Sequence, residues 1–444
     1  MSIRREAVYV RRRRVALALA AMLALVLFLL VDRVLLGAGR AGAAPRSAQH
    51  TPTATAPGSG TPTSASSVSP SSPVPTTGAA APSSPTPSSK PSGEPTQARG
   101  GAAGGTLVQG VRISGARTAA SLAAAPTGGV FAQAAGDRHS VTAYLPDATV
   151  AGTVSDTVDL ARFGIKGHPG LSLGAPEAAA FTHDGSAAYI SNASMTGNGF
   201  AGDTKDLCSA KGPASGSYLY RVDAQNLSID KVLPVQARPS HLAVTPDGAQ
   251  VLTTSSCSGD LSVVDARSGR QVASIPLGKA TTGLAVSADS RSAYVASSGS
   301  DVVRRVDLRT RKVADLARTG SGPRDLQLSR DGSHLFVAND GSRTVAQLDL
   351  RTGKVTGTVS VGMRPRALAL SSDGTALYVA GSGKTVLSKL ATSDLTVLQR
   401  VHTASAAVDV VYEPARKRVW LACAGGDILV FDDAHQAKST SSAP

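Results

Sequence analysis

Three observations predict an all-β fold, a seven-bladed β-propeller. Asp247, Asp289, Asp331, Asp373 and Ala415 recur every 42 residues, and a strict period of that length marks one propeller blade per repeat. Each position sits in a turn between short apolar runs, as in Leu368-Ala369-Leu370 before Asp373-Gly374 and Leu377-Tyr378-Val379-Ala380 after it, which is the pattern of paired strands. Two turns further upstream, Thr127-Gly128 and Asp184-Gly185, bring the number to seven.

At the start of the chain, Arg4, Arg5 and Arg11 to Arg14 precede Val15 to Val31, a run of 17 apolar residues. The run can anchor in a bilayer with its basic flank left in the cytoplasm. Residues 15–36 are therefore read as a transmembrane signal anchor behind a basic cytoplasmic segment, 1–14. Ala41-Gly42-Ala43 offers a small-residue cleavage site, and with it the alternative of a signal peptide and a secreted protein. From 44 to 105 the chain is Pro, Ser, Thr, Ala and Gly, with few charges and almost no large apolar residue. Such a segment cannot bury enough surface to offset its ordering entropy. It is expected to be a disordered linker with a span on the order of 40–50 Å.

Thr106 to Ile113 is strand-like and precedes the first blade. The last unit supplies only three strands, Val408 to Tyr412, Val419 to Cys423 and Ile428 to Phe431, before a polar tail at 434–444. The early strand is expected to complete the last blade as its outer strand. That closure leaves no open edge and ties together the ends of a propeller spanning 106–433. The turn at Asp184 lies 63 residues before Asp247, and that at Thr127 lies 57 before Asp184. The surpluses fall at Met195 to Ser215 and at Asp156 to Pro169, two enlarged loops on the face where one blade passes to the next.

The units resemble YVTN-type propeller repeats, a family that shares its architecture with WD-repeat and bacterial lactonase-like propellers. The matching features are the Pro before the inner strand (Pro176, Pro239, Pro323, Pro365), the Asp-Gly turn, Leu335-Phe336-Val337-Ala338-Asn339 and Val263-Val264-Asp265. The resemblance covers about Thr106 to Asp433. It implies the fold strongly and the function weakly, because one such scaffold carries many unrelated activities.

Of the 45 Lys and Arg residues, 11 lie in residues 1–100 together with 3 of the 31 acids. More than half of the net charge of +14 is thus topogenic or in the linker, and the propeller is only mildly basic. With 16 aromatics in the whole chain to stack on bases, no nucleic-acid partner is expected. Cys208 and Cys257 occupy the same turn in neighbouring blades, so a disulfide between them is expected in an exported domain, two unpaired residues being the alternative. Cys423, beside Trp420, is read as an unpaired core residue.

Aligning the repeats on the Pro position brings Glu177, Arg238, His241, Arg324, Asp325, Arg364, Arg366 and Asp409 toward the central mouth. A ring with several arginines can hold an anion through charge-assisted hydrogen bonds. Glu177, Arg238, His241, Arg324 and Arg366 are taken as the candidate ligand-binding set. The alternative is that they are solvated strand ends. His139, His168, His183 and His334 are read as surface residues, and Asp223, Asp265, Asp307, Asp349 and Asp433 as turn residues after the third strand. Motifs for covalent haem, zinc proteolysis, phosphate loops and nucleophile elbows are missing, so no cofactor, metal site or assigned catalytic residue is expected. The sequence reads as a monomeric, membrane-tethered propeller that binds a protein or envelope polymer. The alternative is a lactonase-type hydrolase or lyase acting on a small anionic metabolite, with Glu177 or His241 as base.

Overall fold

The computed structural model describes residues 101–115, 119–134, 140–200, 217–236, 238–278 and 280–434. The predicted anchor, the linker, the tail beyond Ala434, Cys208 and His139 lie outside them. Among the described residues, no helix is long and apolar enough to cross a membrane.

Seven antiparallel sheets form a ring of blades, numbered 1 to 7 along the chain, with strands a to d from the channel outward. The inner strands are 1a (Ala119–Ala124), 2a (Leu171–Phe181), 3a (Pro239–Val244), 4a (Thr281–Val286), 5a (Pro323–Leu328), 6a (Arg364–Leu370) and 7a (Ala407–Glu413). Each inner strand touches those of its neighbours, and 7a touches 1a, so the ring is closed. The fourth strand of blade 7 is Thr106–Ile113, paired with Ile428–Ala434 from Thr106 opposite Ala434 to Ile113 opposite Ile428. This is the closure predicted from the sequence.

Strands b and c are buried on both faces because each blade packs between two others. Strand 6b (Ala376–Ser382) and strand 6c (Val386–Ala391) show why their apolar runs are nearly unbroken. The apolar core is accordingly seven clusters, one in each seam between blades. The outer strands are wetter, and Val272, Val313 and Val355 stand about 40% exposed on them.

The turns between strands a and b, Asp-Gly in most blades, repeat one local device. Asp247, Asp289 and Asp331 each accept the hydroxyl of the residue two before and the amide of the residue two after. Blade 7 has Ala415 at that place, and Glu413 caps the turn instead by accepting the Ala415 and Arg416 amides.

The first enlarged loop is not irregular. Thr157–Asp159 adds a fifth strand beside 2a, and a 3-10 turn follows at Leu160–Phe163. His168 in this loop is buried at 6% exposure and stacks on Phe200 at 4.0 Å, with Tyr218 edge-on. The surface assignment of His168 is thereby corrected, because the insertion folds back and covers the ring.

Asp433 also departs from expectation. Its side chain is fully buried and pairs at 2.5 Å with Lys389, itself fully buried in strand 6c. Tyr378 donates its hydroxyl to the same carboxylate, and the Lys389 ammonium donates to the Gly105 carbonyl at 2.7 Å. The reason is topological. Blade 7 takes its outer strand from the other end of the chain, so there is no turn after 7c for Asp433 to cap.

Candidate functional site at the channel mouth

The pairing between strands a and b slips by a residue at the same level in all seven blades, directly after the Pro position. A bulge re-aims the side chains around it. It sorts the predicted residues into three levels: Arg238 and Arg364 before the Pro position, Glu177, Arg324 and Arg366 in the bulge, and His241, Asp325 and Asp409 one step further along the strand. Alignment on the Pro gathered all eight without distinguishing these levels.

The ring is tight at this height. A Cβ on Gly283 of strand 4a would lie 2.7 Å from both the Arg324 carbonyl oxygen and the Asp325 Cα, so only glycine lets blades 4 and 5 approach so closely. Polar side chains then tie blade to blade. Asp325 accepts the Leu326 amide of its own strand and the Leu368 amide of blade 6, both at 2.8 Å. Asp409 does the same with Val410 at 2.8 Å and with Leu122 of blade 1 at 2.7 Å. Neither is a solvated strand end. Each is a clamp between inner strands, and the signal for it in the sequence is the same residue type two repeats apart.

Burial dominates the electrostatics here. It pushes Asp325 up to about 7 against the pull of the Leu368 amide, with the Asp409 charge adding to the rise. Asp409 is pushed up to about 6 for the same leading reason. Burial also raises Glu177, partly offset by Arg238. His241 is held down to about 4 by burial and then by the charge of Arg324, so its imidazole is neutral at neutral pH. Its Nδ1 is enclosed and meets no partner. Arg324 is itself lowered by burial and by the neighbouring charge of Arg366.

The five residues of the candidate set fall into two groups of neighbours, Glu177 with Arg238, and His241 with Arg324 and Arg366. The Arg238 charge acts on Glu177, that of Arg324 on His241, and that of Arg366 on Arg324. Arg364 is engaged elsewhere, in a bidentate pair with Asp340 at 2.9 Å. Among the described residues, Arg324 and Arg366 are in no ion pair. Arg238 stands exposed on the rim with a left-handed backbone (φ 57°), secured by its amide donating to Ser217 Oγ at 3.1 Å. Cys257 is disulfide-bonded, Cys423 is free and buried, and Cys208, the predicted partner of Cys257, lies outside the described residues.

The fold and this mouth define a seven-bladed β-propeller protein. No family model and no curated protein sequence matches the chain. Solved structures with the same fold include Kuenenia stuttgartiensis hydrazine synthase, at 18% identity and TM-score 0.55 over 71% of this chain and 95% of that one. The Cps50 (Swd1) β-propeller domain of Myceliophteria thermophila is similar at 12% identity and TM-score 0.55, over 74% and 99%. A chain of the mitotic checkpoint complex is similar at 14% identity and TM-score 0.58, over 80% and 98%. Likeness at such identities concerns the fold alone.

Proposed function

We propose that this chain is an exported, membrane-tethered propeller of the YVTN-repeat type that acts as a binding module at the cell envelope. Its mouth takes an anionic group of a protein or envelope polymer. The observation that carries this reading is the pair Arg324 and Arg366: the Arg366 charge acts on Arg324, and among the described residues neither guanidinium is in an ion pair. A bound carboxylate or phosphate relieves that repulsion and gains charge-assisted hydrogen bonds. A Cys208–Cys257 disulfide, in this reading, pins the second enlarged loop beside the mouth. That two of the similar structures are the Cps50 (Swd1) propeller domain and the mitotic checkpoint complex supports a protein partner. The test is capture of partners by the wild type and by Arg324→Ala/Arg366→Ala. Partners retained equally by both would refute the site.

A second reading, a lactonase-type hydrolase, is favoured by one observation, a carboxyl raised by burial beside a guanidinium at Glu177 and Arg238. A base must be unprotonated yet basic near the working pH, which suits Glu177 and disfavours His241, whose affinity for a proton is spent by pH 4 to 5. Lactone hydrolysis lost in Glu177→Gln and kept in His241→Gln would establish it.

A further inference from the structure

The disc's outer rim is not uniformly charged. The turns joining strands c and d share a face with the Asp-Gly turns. In blades 3, 4 and 5 they carry Arg267 and Arg270, Arg309 and Arg311, and Arg351 and Lys354. All six are exposed, and among the described residues none is in an ion pair. The acids of the same turns, Asp265, Asp307 and Asp349, accept backbone amides of those turns. The equivalent turns of blades 1, 2 and 6 hold Asp147, Asp223 and Asp394 and no basic residue. All six blades that have this turn carry an Asp in it, whereas the cations fall on three adjacent blades only.

The place where the chain enters the propeller bears on this crescent. The Ala102 amide donates to Asp373 Oδ2 at 2.5 Å and the Ala103 amide to Thr375 Oγ1 at 3.0 Å. Both acceptors belong to the Asp-Gly turn of blade 6, next to the last blade of the crescent. One hundred residues precede Gly101, among them the apolar run at Val15 to Val31.

We infer that the crescent docks on an anionic phospholipid surface, so that the Asp-Gly face lies toward the membrane and the mouth points away from it. The inference rests on the tethered reading above. A tether that leaves from the same face holds the crescent at high local concentration near lipid headgroups, where a few cations suffice for attachment. Their attraction reaches only about a Debye length, roughly 10 Å, so face and lipid must meet. The charges sit on turns, without aromatic platforms among them, which favours headgroups over single-stranded nucleic acid.

The test uses the full chain reconstituted in vesicles of phosphatidylcholine alone or with roughly one third phosphatidylglycerol. A dye is placed at Thr352→Cys in the crescent or at Ser342→Cys on the opposite face, with an acceptor on the lipid headgroups. Transfer from position 352 should exceed that from 342 several-fold on phosphatidylglycerol vesicles and approach it on phosphatidylcholine. Arg309→Glu/Arg311→Glu should erase the excess, as should high salt. Equal transfer from both positions on both lipids, or an excess that survives the double reversal, overturns the inference. So does binding of soluble polyphosphate by the crescent with no response to phosphatidylglycerol. The tether is tested separately by sedimentation with phosphatidylcholine vesicles. If the chain fails to stay with them, the anchor is wrong. A phosphatidylglycerol-dependent sedimentation that falls about tenfold or more in the double reversal would still support the crescent.

Discussion

The two faces of the ring treat the same residue types in opposite ways. On the Asp-Gly face, hydrogen bonds from Thr182 and Ser186 hold Asp184 down to about 2. Asp289 is lowered by the Ser287 hydroxyl and the Arg291 amide, and Asp331 by Ser329 and Ser333. At the mouth, burial raises Glu177, Asp325 and Asp409 and lowers His241 and Arg324. Hydrogen bonds to the charged form hold the turn carboxylates down, whereas at the mouth desolvation outweighs the bonds that Asp325 and Asp409 accept and disfavours the charged form. On the Asp-Gly face the acids serve the fold; at the mouth Asp325 and Asp409 tie blades together, while Glu177, Arg324 and Arg366 are the groups that the proposed function gives to a ligand.

The largest effect that would break this comparison concerns the closure on the Asp-Gly side. Asp433→Asn or Lys389→Met leaves one buried charge without its partner, and should cost about 3–5 kcal/mol in denaturant unfolding. Replacing both together, Lys389→Met with Asp433→Leu, should recover most of that loss. Anion affinity at the mouth should not move in any of these variants. A single variant as stable as the wild type would remove the lock from the account.

A smaller effect lies in the pH dependence, where the faces should slope oppositely. Asp325 binds its proton more tightly folded, near 7, than unfolded, near 3.9. The stability this contributes is full below pH 4 and is lost as pH rises through 7. Asp409 adds to the same fall up to about 6. Asp184 runs the other way, contributing stability above pH 4 that is lost as pH falls through about 2. His241, depressed to about 4, gains stability as pH rises from 4 to its unfolded value near 6.5 and partly masks the carboxyls. Unfolding free energies from pH 4 to 8 should therefore flatten between 6 and 7.5 in Asp325→Asn. An unchanged slope would mean that Asp325 is ionised throughout.

Smallest is a substitution that separates the two roles at one residue. Arg238 occupies a left-handed backbone that glycine adopts freely. Arg238→Gly should leave thermal stability unchanged or raise it by up to about 1 kcal/mol, while weakening anion binding. A variant that melts much lower with its affinity intact would reverse the assignment of this residue.

The fold was legible because each Asp of the 42-residue series does one local job with partners two residues away, visible as Thr-Pro-Asp-Gly or Ser-Arg-Asp-Gly. The closing strand was legible for a different reason: the last unit lacked a strand and the chain had one to spare. Where the partner is distant in sequence, reading failed. Asp433 matched the turn column, and only the replacement of its turn by Thr106–Ile113 sends it to Lys389. A lone Lys in the apolar run Val386-Leu387-Ser388-Lys389-Leu390 was the available hint. His168 is buried by Phe200 and Tyr218, which no local pattern connects to it. Alignment on the Pro placed the mouth residues on the inner strands, yet the bulge that separates the clamps Asp325 and Asp409 from Arg324 and Arg366 has no sequence signature.

The most direct test is a paired measurement of anion affinity and melting temperature on two variants. Arg324→Ala/Arg366→Ala should weaken an anionic partner by about 1.5–3 kcal/mol for each charge-assisted bond lost, with melting unchanged or slightly raised as the like-charge repulsion goes. Asp331→Ala/Gly332→Ala should lower the melting temperature, since Gly332 has φ 68° and Asp331 ties its turn, and should leave affinity alone. Binding abolished by the Asp331 and Gly332 changes in a still-folded protein, and untouched by loss of both arginines, would contradict the division of labour between the two faces.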